Sequence, residues 1–144
     1  MTNLEDFVIK QLSVFLENKP GSLARMAKAM DEAGVNILAL NIAEAGEFGV
    51  VRMLVKNPDD AHKKLRKRGF TVSLTDVLGV EMRDRPGGLY EIAKILGNSN
   101  VNLEYAYACT RDGPTLILRV SDVKEAIRKI MESGKKLVEK RYFE

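Results

Sequence analysis

Scarcity of reactive side chains excludes most catalytic chemistry in this chain. Its 144 residues hold one cysteine, Cys109, and one histidine, His62. A single cysteine excludes an internal disulfide and a cysteine-based metal site. His62 sits in a charged segment without a cysteine or serine partner and reads as a surface residue. Cys109 falls in a predicted strand and reads as a small packed residue rather than a nucleophile. There is no tryptophan, and no apolar run approaches the roughly 18–20 residues that a membrane helix needs. The opening Met-Thr-Asn-Leu-Glu-Asp has no basic region ahead of an apolar stretch, so no secretory signal is expected and a cytoplasmic protein is. There is no Gly-rich phosphate loop, no metal-ligand spacing and no acidic pair placed for acid–base work. The expectation is a protein that is not an enzyme, with no catalytic residue, no metal and no cofactor.

What is present reads as a globular domain. Apolar residues make up 45% and charged residues 30%. The net charge is +3, and the excess is local, in His62-Lys-Lys-Leu-Arg-Lys-Arg68 and in Lys135, Lys136, Lys140 and Arg141. A basic run can be a nucleic-acid footprint. A solvated helix face is the simpler reading of this one, so nucleic acid is not the expected partner.

The strongest signal is internal repetition. Glu17-Asn-Lys-Pro-Gly-Ser-Leu23 returns as Arg83-Asp-Arg-Pro-Gly-Gly-Leu89, and Val35-Asn36-Ile37 returns as Val101-Asn102-Leu103. Both lie 66 positions apart, Pro20 to Pro86 and Asn36 to Asn102. One offset over a whole segment marks a duplicated structural unit. At the third strand the offset falls to 65, Val55 to Val120, so one hairpin has lost a residue. Loops tolerate such a loss.

Each copy predicts the same elements. A strand over 7–17, with Val8, Leu12, Val14 and Leu16 on one face, matches Leu78, Val80 and Met82. Pro20 and Pro86 suit a first helical turn. The stripes Leu23, Met26, Ala27, Met30 and Leu89, Ile92, Ala93, Leu96 predict helices packed on a sheet, ending near Gly34 and Asn100. Strands follow over 36–44 and 102–110, turns at Ala45-Gly-Glu-Phe-Gly49 and Arg111-Asp-Gly-Pro114, and strands over 50–55 and 115–120. Second helices start at Asn57-Pro58-Asp59 and Ser121-Asp122 and stop at Gly69 and Gly134. Last strands run over 70–76 and 137–143. The order β-α-β-β-α-β predicts an α+β fold of two tandem ferredoxin-like units over 1–75 and 76–144, each an antiparallel sheet with both helices on one face. Joining the two sheets into a larger one would remove exposed edges. Units this small are marginal alone, which favours a shared interface and a homodimer.

Function must then come from a site, because this fold serves many purposes. Base stacking would need aromatics on the central strands. The third strands have none, and the Tyr105–Tyr107 pair reads as core or interface. The doubled strand-to-helix turn remains. As simple caps, Asn18 and Asp84 would accept an N–H from the first helical turn. As a ligand site, the turn offers more. Gly21 and Gly87 let a ligand approach the backbone, helix N–H groups attract a carboxylate, and Asn18 or Asp84 can hold an ammonium. Asn36 and Asn102 begin the next strand and are candidates for the same cleft. The candidate ligand-binding set is Asn18, Lys19, Gly21, Ser22, Leu23, Asn36, Asp84, Arg85, Gly87, Gly88, Leu89 and Asn102.

Asn18-Lys-Pro-Gly-Ser-Leu23 with Gly34-Val-Asn-Ile37, and Asp84-Arg-Pro-Gly-Gly-Leu89 with Val101-Asn-Leu103, resemble the ACT domain in two tandem copies over nearly the whole chain. The likeness is to stand-alone tandem ACT proteins without an enzyme domain. It implies regulatory binding of an amino acid at interfaces between ACT units, with Asn18, Gly21, Asn36, Asp84, Gly87 and Asn102 on the family's ligand-site positions. It also implies a partner enzyme or regulator that receives the signal. Two departures stand out. Asn18 replaces a common Asp, and Asn100 replaces the usual Gly before Val-Asn, so the copies are expected to bind unequally, the second more strongly.

Overall fold

The computed structural model describes residues 3–111 and 113–144; Met1, Thr2 and the predicted turn residue Asp112 lie outside them. Contacts divide the chain into two compact units. One runs from Lys10 to Thr75 and adds Phe143–Glu144. The other runs from Asp76 to Tyr142 and adds the N-terminal residues through Ile9. The termini are thus exchanged: each end of the chain completes the unit built mainly from the other copy.

In the first unit the order is β1 (Ile9–Glu17), α1 (Ser22–Ala33), β2 (Ile37–Ala45), β3 (Phe48–Val55), α2 (Pro58–Lys67) and the start of β4 (Thr71–Glu81). β3 lies antiparallel between β1 and β2. Met53 faces Leu12 on one side and Leu40 on the other. The even positions of β1 and the odd positions of β3 share one face. That face packs Leu12, Val14, Leu16, Val51, Met53 and Val55 against Met26, Met30, Ala61 and Leu65 of the helices. Each valine, leucine or methionine among them contributes on the order of 1.5–3 kcal/mol by leaving water.

The second unit repeats the plan with the end of β4, α3 (Gly88–Asn98), β5 (Leu103–Thr110), β6 (Pro114–Val120) and α4 (Val123–Glu132). β6 lies antiparallel between β4 and β5, with Leu118 opposite both Leu78 and Ala106. Ile92, Leu96, Ala126, Ile127 and Ile130 cover that face, and Val8 from the N-terminal segment joins them. Asp122 caps α4 as predicted, accepting the Glu125 N–H at 3.1 Å. Asn100 takes the expected left-handed conformation (φ 57) after α3. Among the described residues, no helix is long and apolar enough to cross a membrane.

Three expectations need correction. Residues 137–143 do not form a strand. Leu137 makes one bridge to Val80, braced by Glu81 N–H to Lys136 O (2.9 Å) and Val138 N–H to Gly79 O (2.8 Å). The chain then turns into a 3-10 helix, Lys140–Phe143. Phe143 anchors that turn: the residue is buried, and its carbonyl accepts the Asn57 N–H at 2.7 Å. At the other end, Leu4–Phe7 is a 3-10 helix, so the first strand starts at Ile9. The helix stripes are also rotated. Ser22, Met26, Ala29 and Met30 face the first sheet, while Leu23 and Ala27 are exposed. Gly88, Ile92 and Leu96 face the second, while Leu89 and Ala93 are exposed. In both, the buried ridge runs at i, i+4, i+8, the commoner ridge for close packing.

Gly88 occupies the first position of its ridge, where a Cβ would lie 2.4 Å from the Arg83 carbonyl oxygen. Gly97, on the same helix, has open space around it. Gly88→Ala is therefore expected to cost about 1–3 kcal/mol. Gly97→Ala is expected to be neutral or to stabilise by about 0.5–1 kcal/mol. Denaturant midpoints decide it; equal effects of the two changes would contradict the packing described.

Candidate functional site

The two strand-to-helix turns share one backbone device. Gly21 and Gly87 precede their helices with φ of 90° and 95°, a left-handed region that an L side chain enters at a cost of roughly 1–2 kcal/mol. These glycines, not Asn18 and Asp84, are the N-cap residues, and neither helix has a side-chain cap. Pro20 and Pro86 accordingly precede the caps rather than occupy the first helical turn.

Without a side-chain cap, the first-turn donors stay open. Among the described residues, the N–H groups of Leu23, Ala24, Leu89 and Tyr90 donate to no acceptor. Such groups carry the positive end of the helix dipole. Leu89 and Tyr90 are exposed beside them, at 54% and 65%.

The turns differ in what precedes the glycine. Asn18 is occupied: its N–H donates to Glu47 O (2.7 Å) and its Nδ2 to Gly46 O (3.0 Å), tying the turn to the β2–β3 hairpin. Lys19 pairs with Glu17 at 2.9 Å. Asp84 is exposed, and among the described residues nothing binds its carboxylate. Its neighbours Arg83 and Arg85 both reach toward Glu91 Oε1, at 3.6 and 3.7 Å, while Lys135 Nζ donates to Glu91 Oε2 at 2.6 Å. The Lys135 hydrogen bond holds the Glu91 carboxyl below its ordinary value of 4.5; burial opposes this, and the charge of Arg83 adds to it.

The register separates the remaining candidates. Glu17, at the end of β1, lies opposite Phe48, whereas Ile37, at the start of β2, lies opposite Val55. Those points are seven β3 residues apart (48 to 55), roughly 23 Å at about 3.3 Å per residue. Asn36 therefore sits at the opposite end of its unit's sheet from Asn18. Asn102 is placed likewise relative to Asp84, where its N–H donates to Ser121 Oγ and its carbonyl accepts the Ser121 N–H, both at 2.9 Å. The structure brings together Asp84, Arg85, Gly87, Gly88 and Leu89, and separately Asn18, Lys19, Gly21, Ser22 and Leu23. Tyr107 is buried. The basic run caps the exposed end of α2, where Lys64 binds Asp60 (2.9 Å) and Ala33 O (3.1 Å). Glu91 and Lys135 were missed: they are 44 positions apart, and nothing local links them.

The family model of the ACT domain pair matches residues 7–143. A protein of known structure from Bacteroides thetaiotaomicron is 34% identical, with a TM-score of 0.87 over 93% of this chain and 94% of that one. The ligand-free regulatory subunit of aspartate kinase from Thermus thermophilus shares the fold at 15% identity, with a TM-score of 0.64 over 90% of this chain and 95% of that one. Its counterpart from Thermus flavus does so at 14% and 0.59, over 90% and 94%. The chain matches no curated protein.

The Glu91 cluster makes a prediction about acid. Because the Glu91 carboxyl is lowered in the folded state, its stabilisation is present above the ordinary value of 4.5 and is lost as pH falls through the lowered one. Glu91→Gln should flatten the loss of melting temperature below about pH 4.5 relative to the wild type. Parallel acid limbs for the two proteins would show that the cluster contributes no pH-dependent stability.

Proposed function

The chain belongs to the ACT domain family as an ACT domain pair, and on that basis we propose that it is a non-catalytic regulatory protein that binds an amino acid. The copies are 1–75 and 76–144. The effector's carboxylate would lie on the open N–H groups of Leu89 and Tyr90, with Gly87 and Gly88 admitting it to the backbone. Its ammonium would lie on Asp84. The unengaged Asp84 carboxylate carries this reading: it stands exposed ahead of the uncapped helix start, whereas Asn18 is already bound to a hairpin. The second copy is therefore the stronger site, and Lys19, Gly21, Ser22 and Leu23 make a weaker one. Asn36 and Asn102, at the far strand ends, can contribute only from another unit or another protomer. A homodimer that signals to a separate metabolic enzyme or regulator fits the same reading.

A ligand-free interaction module is the second reading. Its support is the edge strand β2, which exposes Leu40 and Ile42 on the side that faces the helices. Exposed apolar side chains on a strand edge invite another chain.

Thermal melts against the twenty amino acids separate the readings. An effector at a hundred times its Kd adds about 2.7 kcal/mol, which reads as several degrees at this chain length. One chemical group of amino acids is expected to give that shift. Asp84→Ala is expected to lose most of it, and Asn18→Ala less. No shift with any amino acid would favour the interaction module, and an equal shift in Asp84→Ala would take Asp84 out of the site.

A further inference from the structure

A second feature lies beside the Asp84 turn, in the second copy. An open cleft of about 340 Å³ lies between the end of β4 and the turn after α4. Its charged wall consists of Arg83, Lys135 and Lys136 against a single carboxylate, Glu81. Glu81 is 3.6 Å from Lys136. Behind the wall, Glu91 serves Lys135 closely, but at 3.6 and 3.7 Å it leaves the Arg83 and Arg85 donors without short hydrogen bonds to it. Lys135 is only 15% exposed, so its charge is held in place rather than free to swing in solvent.

The first copy does the opposite at the same positions. Glu91 corresponds to Arg25, and Lys135, the residue after Gly134, corresponds to Phe70, the residue after Gly69. There the pair is a cation over a ring: Arg25 lies 4.7 Å from the centre of Phe70, and Phe70 is buried in the core. Arg83 corresponds to Glu17. The first copy thus replaces the lysine of the wall with a buried ring and the arginine with an acid.

From this contrast we propose that the second copy carries a pocket for a compact oxyanion, a carboxylate or a phosphate, and that the first copy does not. A lysine held in place beside two exposed cations, Arg83 and Lys136, offers such groups charge-assisted hydrogen bonds. The cleft has the volume of a small-molecule site. The proposal is independent of the amino-acid reading, because succinate and inorganic phosphate carry no ammonium and can bind whether or not an amino acid does.

The test is titration of the full chain with succinate and, separately, with inorganic phosphate, at ionic strength held constant with chloride. Lys135→Met removes the partly buried charge and keeps the stem. The double variant Arg83→Gln, Lys136→Gln removes two exposed charges and leaves the core untouched. Saturable binding is expected for the wild type. About a tenfold loss of affinity is expected in both variants, and less than about a twofold change in Lys19→Gln, from the first copy's turn. Succinate alone would identify a carboxylate ligand, phosphate alone a phosphorylated one, and both would show that charge and size suffice; each supports the pocket. Binding of neither, or equal binding by the wild type and both variants, would overturn it.

Discussion

Both halves of this molecule depend on a left-handed residue between a strand end and a helix start. Glycine at 21 and 87 lets the chain reverse in a few residues and lay the next helix across the sheet. With that reversal fixed, the i, i+4, i+8 ridge faces inward and the core closes over it. The same conformation leaves the helix start without a side-chain cap. The open donors and the fold thus have one cause, and a ligand site at this turn requires no further strain.

Duplication kept that device and let its surroundings diverge. In the first copy the residue before the turn is spent on structure: Asn18 holds the β2–β3 hairpin, and Phe70 fills the space beside Arg25. In the second copy the corresponding places carry charge, with Asp84 unengaged and Glu91 among Arg83, Arg85 and Lys135. One copy is closed by packing and the other is held by ion pairs. Ion pairs can rearrange around a ligand at lower cost than a packed ring. Under the proposed function, this difference makes the second copy the responsive half.

Much of the fold was legible because it rests on local, repeated signals. The common offset set the copies, the strand alternation set the core faces, and Asp122 and Asn100 marked helix ends through their own backbone chemistry. Legibility ended where distant residues decide. Residues 137–143 alternate well enough for a strand, but Phe143, buried and bonded to Asn57, anchors a turn there. Leu23 and Leu89 fit a helical stripe that the left-handed turn rotates away from the sheet. In the candidate site, the left-handed glycines follow from the motif, and Asp84 stands where the motif puts it. The Lys135 contact to Glu91 could not, since only the folded chain joins them. Asn36 and Asn102 follow the motif in sequence but sit at the far end of the strands, which composition does not reveal.

Amide hydrogen exchange, with and without an amino acid that raises the melting temperature, reads the uncapped turns themselves. The account predicts slowed exchange at Gly88, Leu89 and Tyr90, with a smaller effect at Leu23 and Ala24. Binding that leaves the amides of residues 87–90 unprotected would contradict it, and would mean that the uncapped turn serves the fold alone.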